Sequence, residues 1–176
     1  RHTDRNILNI QMETYGEIRD TLGKVADALA SRGWMLTTAE SCTGGGIAAA
    51  CTDLPGSSTW FAGAFVTYST SWKERFLGVP HDTVERHGVV SEEVVSAMLD
   101  GLVARTGVQC AIAVSGIAGP GGAEPGKPVG TVVLGVQAGA YREVGTLLFQ
   151  GDRQAVRQAT VKTALGKLAR MLGKNR

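Results

Sequence analysis

Ser41 and Cys42 stand side by side in TTAESCTGGGIAAAC, residues 37 to 51, with three glycines close behind them. A hydroxyl or thiol becomes a useful nucleophile only next to a base. Histidine is the usual base, but His2 lies in the polar N-terminal stretch and His81 and His87 flank a connection, so none is a natural partner by position. A lysine can serve when burial lowers its pKa, because the neutral amine then accepts the serine proton. Lys73, in YSTSWKE, begins a short helix just past a strand end, where sites gather in α/β sheets. Tyr68, five residues earlier, could donate a hydrogen bond to the serine or to a tetrahedral intermediate. Each of these residues also has a plain structural reading. Ser41 or Thr43 caps a helix, Lys73 is a solvated charge, and Tyr68 is a strand-end aromatic with its hydroxyl in water. Cys42 is the rival nucleophile, although a free cysteine is commonly a small buried filler.

The elements that would position these groups can be read from periodicity. Trp34 to Ala39 reads as a strand, Gly44 to Gly46 relieve the steric limit on a turn, and Ile47 to Cys51 reads as a helix. Ser41 then sits at a strand-to-helix junction, where unpaired N–H groups and the helix dipole favour an oxyanion or a phosphate. Residues 1–16 are polar and aperiodic and are expected to form an arm or linker. From Glu17 to Arg32, Ile18, Leu22, Val25, Ala26 and Leu29 recur at helical spacing, and Gly33 stops the run. Trp60 to Tyr68 is expected as a strand, Ser71 to Leu77 as a short helix, and Ser91 with Glu92 and Glu93 opens a stronger helix to about Thr106. Val108 to Ser115 is continuously apolar, the mark of a strand buried on both faces. Thr131 to Gln137 and Tyr141 to Phe149 form a hairpin around Ala138, Gly139 and Ala140, and Asp152 to Leu172 is a last amphipathic helix. Strands and helices interleave, so the expected fold is α/β: a single domain with a mixed, mostly parallel sheet flanked by helices on both faces.

Composition narrows the function. With 176 residues, 43% of them hydrophobic and 19% charged, the chain can build one sizeable core. A net charge of +2 without a basic stripe argues against nucleic acid as a partner. No apolar run reaches membrane-spanning length and no signal-peptide pattern is present, so no membrane partner is expected. Cys42, Cys51 and Cys110 lack CxxC spacing, which argues for reduced thiols, a cytoplasmic location and no zinc. The second glycine-rich loop, GIAGPGGAEPGKPVG from Gly116, fits the first seven positions of a phosphate loop through Gly121, Gly126 and Lys127, but Pro128 breaks the pattern. Its backbone N–H groups could still face an anionic ligand, and Arg153 and Arg157 at the start of the last helix could grip a phosphate.

Six motifs in order, AESCTGG (39 to 45), LPGSS (54 to 58), VTYSTSWKERFLGV (66 to 79), GVVSEEVVSAM (88 to 98), SGIAGPGG (115 to 122) and KPVGTV (127 to 132), resemble the C-terminal domain of the competence/damage-inducible protein CinA. This domain is known also as a stand-alone nicotinamide mononucleotide deamidase, and the resemblance would assign residues 17–176 to it. It implies hydrolysis of the carboxamide of nicotinamide mononucleotide to nicotinic acid mononucleotide and ammonia, with no metal and no redox cofactor. By the same resemblance Ser41 is the nucleophile, Lys73 its general base and Tyr68 a positioning donor. Cys42, Thr43, Gly44 and Gly45 would face the substrate, with backbone N–H groups of the turn holding the oxyanion. Ser115, Gly116, Gly119, Gly121, Gly122 and Arg153 would hold the ribose phosphate. Two residues depart from the family pattern: Ser115 stands where threonine is common, and Thr70 replaces an asparagine near Lys73. Self-association into a homo-oligomer is expected of the family. Longer members carry an N-terminal domain linked to ADP-ribose pyrophosphate hydrolysis, an activity not expected from this sequence. Two other readings compete: a non-catalytic pyridine-nucleotide-binding or sensor module, which would need only the phosphate-gripping loops, and an amidase built on Cys42.

Overall fold

A computed structural model describes the backbone of residues 2–174 and the side chains from residue 16 onward to 174. Five strands form one mixed sheet in the order β2-β1-β3-β4-β5. They are β1 (Leu36–Glu40), β2 (Phe61–Val66), β3 (Cys110–Gly116), β4 (Thr131–Ala138) and β5 (Tyr141–Leu148). β1 runs parallel to both β2 and β3, whereas β3–β4 and the hairpin β4–β5 are antiparallel. The helices are α1 (His2–Arg32), α2 (Gly46–Thr52), α3 (Thr70–Leu77), α4 (His81–His87), α5 (Glu92–Thr106) and α6 (Arg153–Lys174).

The apolar run of β3 is buried along almost its whole length because helices cover both faces. Cys110, Ile112 and Val114 face one side, where Leu22, Val25 and Leu29 of α1, Ile47 and Cys51 of α2, and the apolar stripe of α6 close the core. Ala111 and Ala113 face the other side, against Leu77 of α3 and Val94, Val95, Met98, Leu99 and Leu102 of α5. The alternation along one strand thus feeds two separate cores.

Two elements differ from expectation. α1 begins at His2, so the segment expected as an arm continues the helix expected from Glu17. Nothing between His2 and Tyr15 is Pro or Gly, so no residue there breaks the helix. α4 occupies what read as a connection; its only apolar side chain is Val84, too little for periodicity to register, and Pro80 and Gly88 bound it. The other boundaries move by a residue or two, as helix and strand ends do. α5 starts at its expected cap: the Ser91 hydroxyl accepts from the Val94 N–H at 3.2 Å.

Candidate active site

The carboxyl ends of three neighbouring strands meet at one point. β1 lies between β2 and β3, and the chain leaves β1 for one neighbour and returns on the other side, which opens a crevice at the strand ends. Ser41 follows β1, Thr67 and Tyr68 follow β2, and Ser115 and Gly116 finish β3.

α3 delivers Lys73 into this crevice. The Ser69 hydroxyl caps the helix by accepting from the Trp72 N–H at 3.3 Å, and Lys73 shares an inner face with Leu77, one turn on. Only 1% of Lys73 is exposed. Its Nζ donates to Thr67 O at 2.6 Å, Tyr68 O at 3.2 Å and Ser41 Oγ at 2.9 Å. No carboxylate pairs with it among the described residues. Burial therefore dominates and lowers its pKa from 10.5 to about 8, with the neighbouring Cys42 pulling weakly the other way. Ser41, itself buried, can donate its hydroxyl to Tyr68 O at 3.4 Å.

The turn that carries Ser41 is held from two sides. Glu40 is fully buried, and its carboxylate accepts from Thr43 Oγ1 at 2.7 Å, Ile47 N at 2.9 Å, Ala48 N at 3.0 Å and Thr38 Oγ1 at 3.0 Å. On the opposite side Arg157 donates to the carbonyls of Cys42 at 3.0 Å and Thr43 at 3.2 Å. Gly44 and Gly45 have φ values of 61° and 96°, a backbone that favours glycine, and Gly44 packs against the Arg157 guanidinium. The start of α2 was expected to receive an oxyanion or a phosphate. Two of its N–H groups instead already serve Glu40, so a substrate anion there would compete with a buried carboxylate. Thr43, Gly44 and Gly45 shape the turn and do not line the cavity.

The cavity itself, about 270 Å³, is lined by Ser41, Cys42, Tyr68 and Lys73 on one side. Ser115, Gly116, Gly119, Gly121, Gly122 and Arg153 line the other. Gly116 has no room for a side chain: a Cβ would lie 2.8 Å from Val132 Cγ2 and 3.1 Å from Cys42 Sγ. Ser115 is buried and donates to Val89 O at 2.9 Å. Arg153 donates to Gly119 O at 2.8 Å and to Tyr68 OH at 2.9 Å, bridging the two walls. The Tyr68 hydroxyl therefore meets Arg153, while its carbonyl meets Ser41 and Lys73. Tyr68 as a whole is 59% exposed. Cys42 has a thiol raised to about 11, chiefly by burial, so it stays protonated at neutral pH.

Sequence reasoning brought ten of the cavity's residues together and missed Thr70, Val89, Val90, Ile117, Ala118 and Glu124, which also line it. It also passed over Glu40, whose one signal was a charge at the end of an otherwise uncharged strand. A buried carboxylate there needs partners, and the nearby hydroxyls and glycine turn supply them.

Residues 19–172 match the family model of the CinA C-terminal domain. A Pseudomonas putida protein named nicotinamide-nucleotide amidohydrolase PncC is 52% identical over 136 residues, covering 77% of this chain and 85% of that protein. The protein of the same name from Enterobacter agglomerans is 51% identical over 141 residues, covering 78% and 85%. A CinA-like protein of Parasynechococcus marenigrum is 49% identical over 162 residues, which make up 90% of this chain but 38% of that longer protein. Among solved structures, a CinA superfamily protein of Klebsiella pneumoniae superposes with a TM-score of 0.85 at 38% identity, covering 89% of this chain and 98% of that one.

Proposed function

The chain belongs to the CinA C-terminal domain family, and on that premise we propose that it hydrolyses the carboxamide of nicotinamide mononucleotide to nicotinic acid mononucleotide and ammonia. Ser41 is the nucleophile and Lys73 the general base. The substrate class rests on the two nicotinamide-nucleotide amidohydrolases that share about half of their aligned residues with this chain.

The observation that carries the mechanism is the set of three oxygens around Lys73 Nζ. As an ammonium, Nζ has one proton for each. Once one proton leaves, two N–H bonds remain for two carbonyls that can only accept. The lone pair then faces Ser41 Oγ, the one partner able to donate. The neutral amine is thus aimed at the hydroxyl it must deprotonate.

Ser41 Oγ attacks the amide carbon as its proton passes to Lys73. Backbone N–H groups lining the cavity beside Ser41, Cys42 nearest in sequence, stabilise the oxyanion. Lys73 gives the proton to the departing nitrogen, the C–N bond breaks, and ammonia leaves an acyl-serine ester. Water, deprotonated by Lys73, cleaves the ester and restores both groups. Arg153 and the glycine-rich loop after β3 hold the ribose phosphate.

Ammonia release from nicotinamide mononucleotide by the wild type, Ser41→Ala and Lys73→Ala, each confirmed folded by circular dichroism, tests this reading. The expected loss in kcat is at least about 10³-fold in both variants. A folded wild type that is thermally stabilised by the mononucleotide yet releases no ammonia would refute it in favour of a binding module.

A further inference from the structure

We propose that Glu40 is a positioning residue for the nucleophile, its carboxylate locking the turn between β1 and α2 so that Ser41 Oγ stays on Lys73 Nζ. The inference rests on the reading of Ser41 as nucleophile. Among the described residues, four donors and no acceptor face the two carboxylate oxygens. Oε1 takes Thr43 Oγ1 and Ile47 N, and Oε2 takes Thr38 Oγ1 and Ala48 N. One oxygen pair therefore ties together the strand that precedes Ser41, the turn that carries it and the helix that follows.

The main chain of Glu40 extends the same connection. Its carbonyl accepts from Thr67 N at 2.9 Å, and the Thr67 carbonyl in turn accepts from Lys73 Nζ at 2.6 Å. Lys73 closes the circuit on Ser41 at 2.9 Å. The nucleophile and its base are thus joined twice, once directly and once through Glu40 and Thr67. Without the carboxylate, the N–H groups of Ile47 and Ala48 lose their acceptor, and the turn is free to move along with Ser41.

Glutamine cannot replace this carboxylate. A hydroxyl can rotate to accept from an amide NH₂, but a backbone N–H cannot, so either Ile47 N or Ala48 N must oppose a donor. The walls assigned to the rest of the substrate, the loop after β3 and Arg153, stand on other elements and make no bond to the Glu40 carboxylate. The defect should therefore fall on turnover and leave substrate affinity alone.

The experiment measures kcat and KM for nicotinamide mononucleotide in Glu40→Gln, Thr43→Val and Thr43→Ser, together with the rate at which a fluorophosphonate probe labels Ser41. Expected are a kcat loss of about 10- to 100-fold in Glu40→Gln and about 3- to 10-fold in Thr43→Val, with KM within about threefold in both. Thr43→Ser keeps the hydroxyl and should return kcat to within about twofold of wild type. Labelling should slow in the same order. If Glu40→Gln fails to fold, Thr43→Val against Thr43→Ser makes the same comparison. Unchanged labelling and turnover in folded Glu40→Gln or Thr43→Val, or a loss confined to KM, overturns the proposal. So does a wild type that the probe does not label. A wild type that labels quickly, slows in Glu40→Gln and yet releases no ammonia would reject the substrate and leave the positioning role standing.

Discussion

Burial of Lys73 sets a pH dependence that can be worked out in advance. An exposed lysine with a pKa of 10.5 would be neutral in only about 0.03% of molecules at pH 7. With the pKa lowered to about 8, the neutral fraction becomes about 10% at pH 7, about 50% at pH 8 and about 90% at pH 9. The shift disfavours the charged form by about 3 kcal/mol, and the desolvated site without a carboxylate is its source. Because the proposed mechanism uses the deprotonated form, kcat/KM should rise with pH, by about fivefold from 7 to 8 and about tenfold from 7 to 9. The substrate phosphate, with a second pKa of about 6, is almost fully ionised across this window, so the rise reports the enzyme. Ammonia release at substrate concentrations well below KM, followed from pH 6.5 to 10 in buffers of constant ionic strength, measures it. A profile flat between 7 and 9, or one with its midpoint at 10 or above, would refute the assignment of Lys73 as a base activated by burial. A midpoint near 6.5 would point to a histidine instead.

Three further outcomes follow from the same geometry. Cys42→Ala should keep kcat within about threefold of wild type, since its thiol is raised to about 11 and Lys73 already faces Ser41; loss of activity in Cys42→Ala with retention in Ser41→Ala would install the thiol as nucleophile. Arg153→Ala should raise KM for the mononucleotide by about 10-fold or more while changing kcat much less, and a pure kcat defect in steady-state assays would remove Arg153 from phosphate binding. Gly116→Ala should lower unfolding stability by about 1 to 3 kcal/mol in urea titrations, because the added Cβ meets Val132, Cys42 and the Thr131 carbonyl; an unchanged midpoint would show that this strand end can shift.

Local signals were legible where a residue's role depends on its neighbours in the chain. The cap at Ser91, the stop at Gly33 and the hairpin at Gly139 all satisfy nearby backbone groups, so their chemistry is written within a few residues. The apolar run ending at Ser115 was readable as a buried strand for the same reason. The order of strands was not readable, because β1 finds its neighbours β2 and β3 across long stretches of chain. α4 was missed because a helix with one apolar residue has no periodicity to detect. Lys73 shows the intermediate case. Its neighbours Trp72, Glu74 and Arg75 are polar or partly exposed, and a solvated charge was the plain reading. Its position one turn before the buried Leu77 was the available signal that it faced inward.

The harder ambiguity was Ser41 itself, because capping a helix and presenting a nucleophile both call for a hydroxyl at the end of a strand and the start of a helix. The preceding residue bears on the choice. Glu40 takes two N–H groups at the start of α2, and the residue at the cap position, Gly45, makes no side-chain bond to the helix. Helix α2 therefore needs nothing from Ser41. The Ser41 hydroxyl, buried and free of capping, is left to the Tyr68 carbonyl and, at 2.9 Å, to a desolvated lysine with no carboxylate partner among the described residues. A buried lysine left without an ion pair is costly to the fold, and the proposed mechanism uses the neutral form that burial favours. Under the proposed mechanism the cap and the base are linked: Glu40 relieves Ser41 of a structural duty, and Lys73 supplies the chemical one.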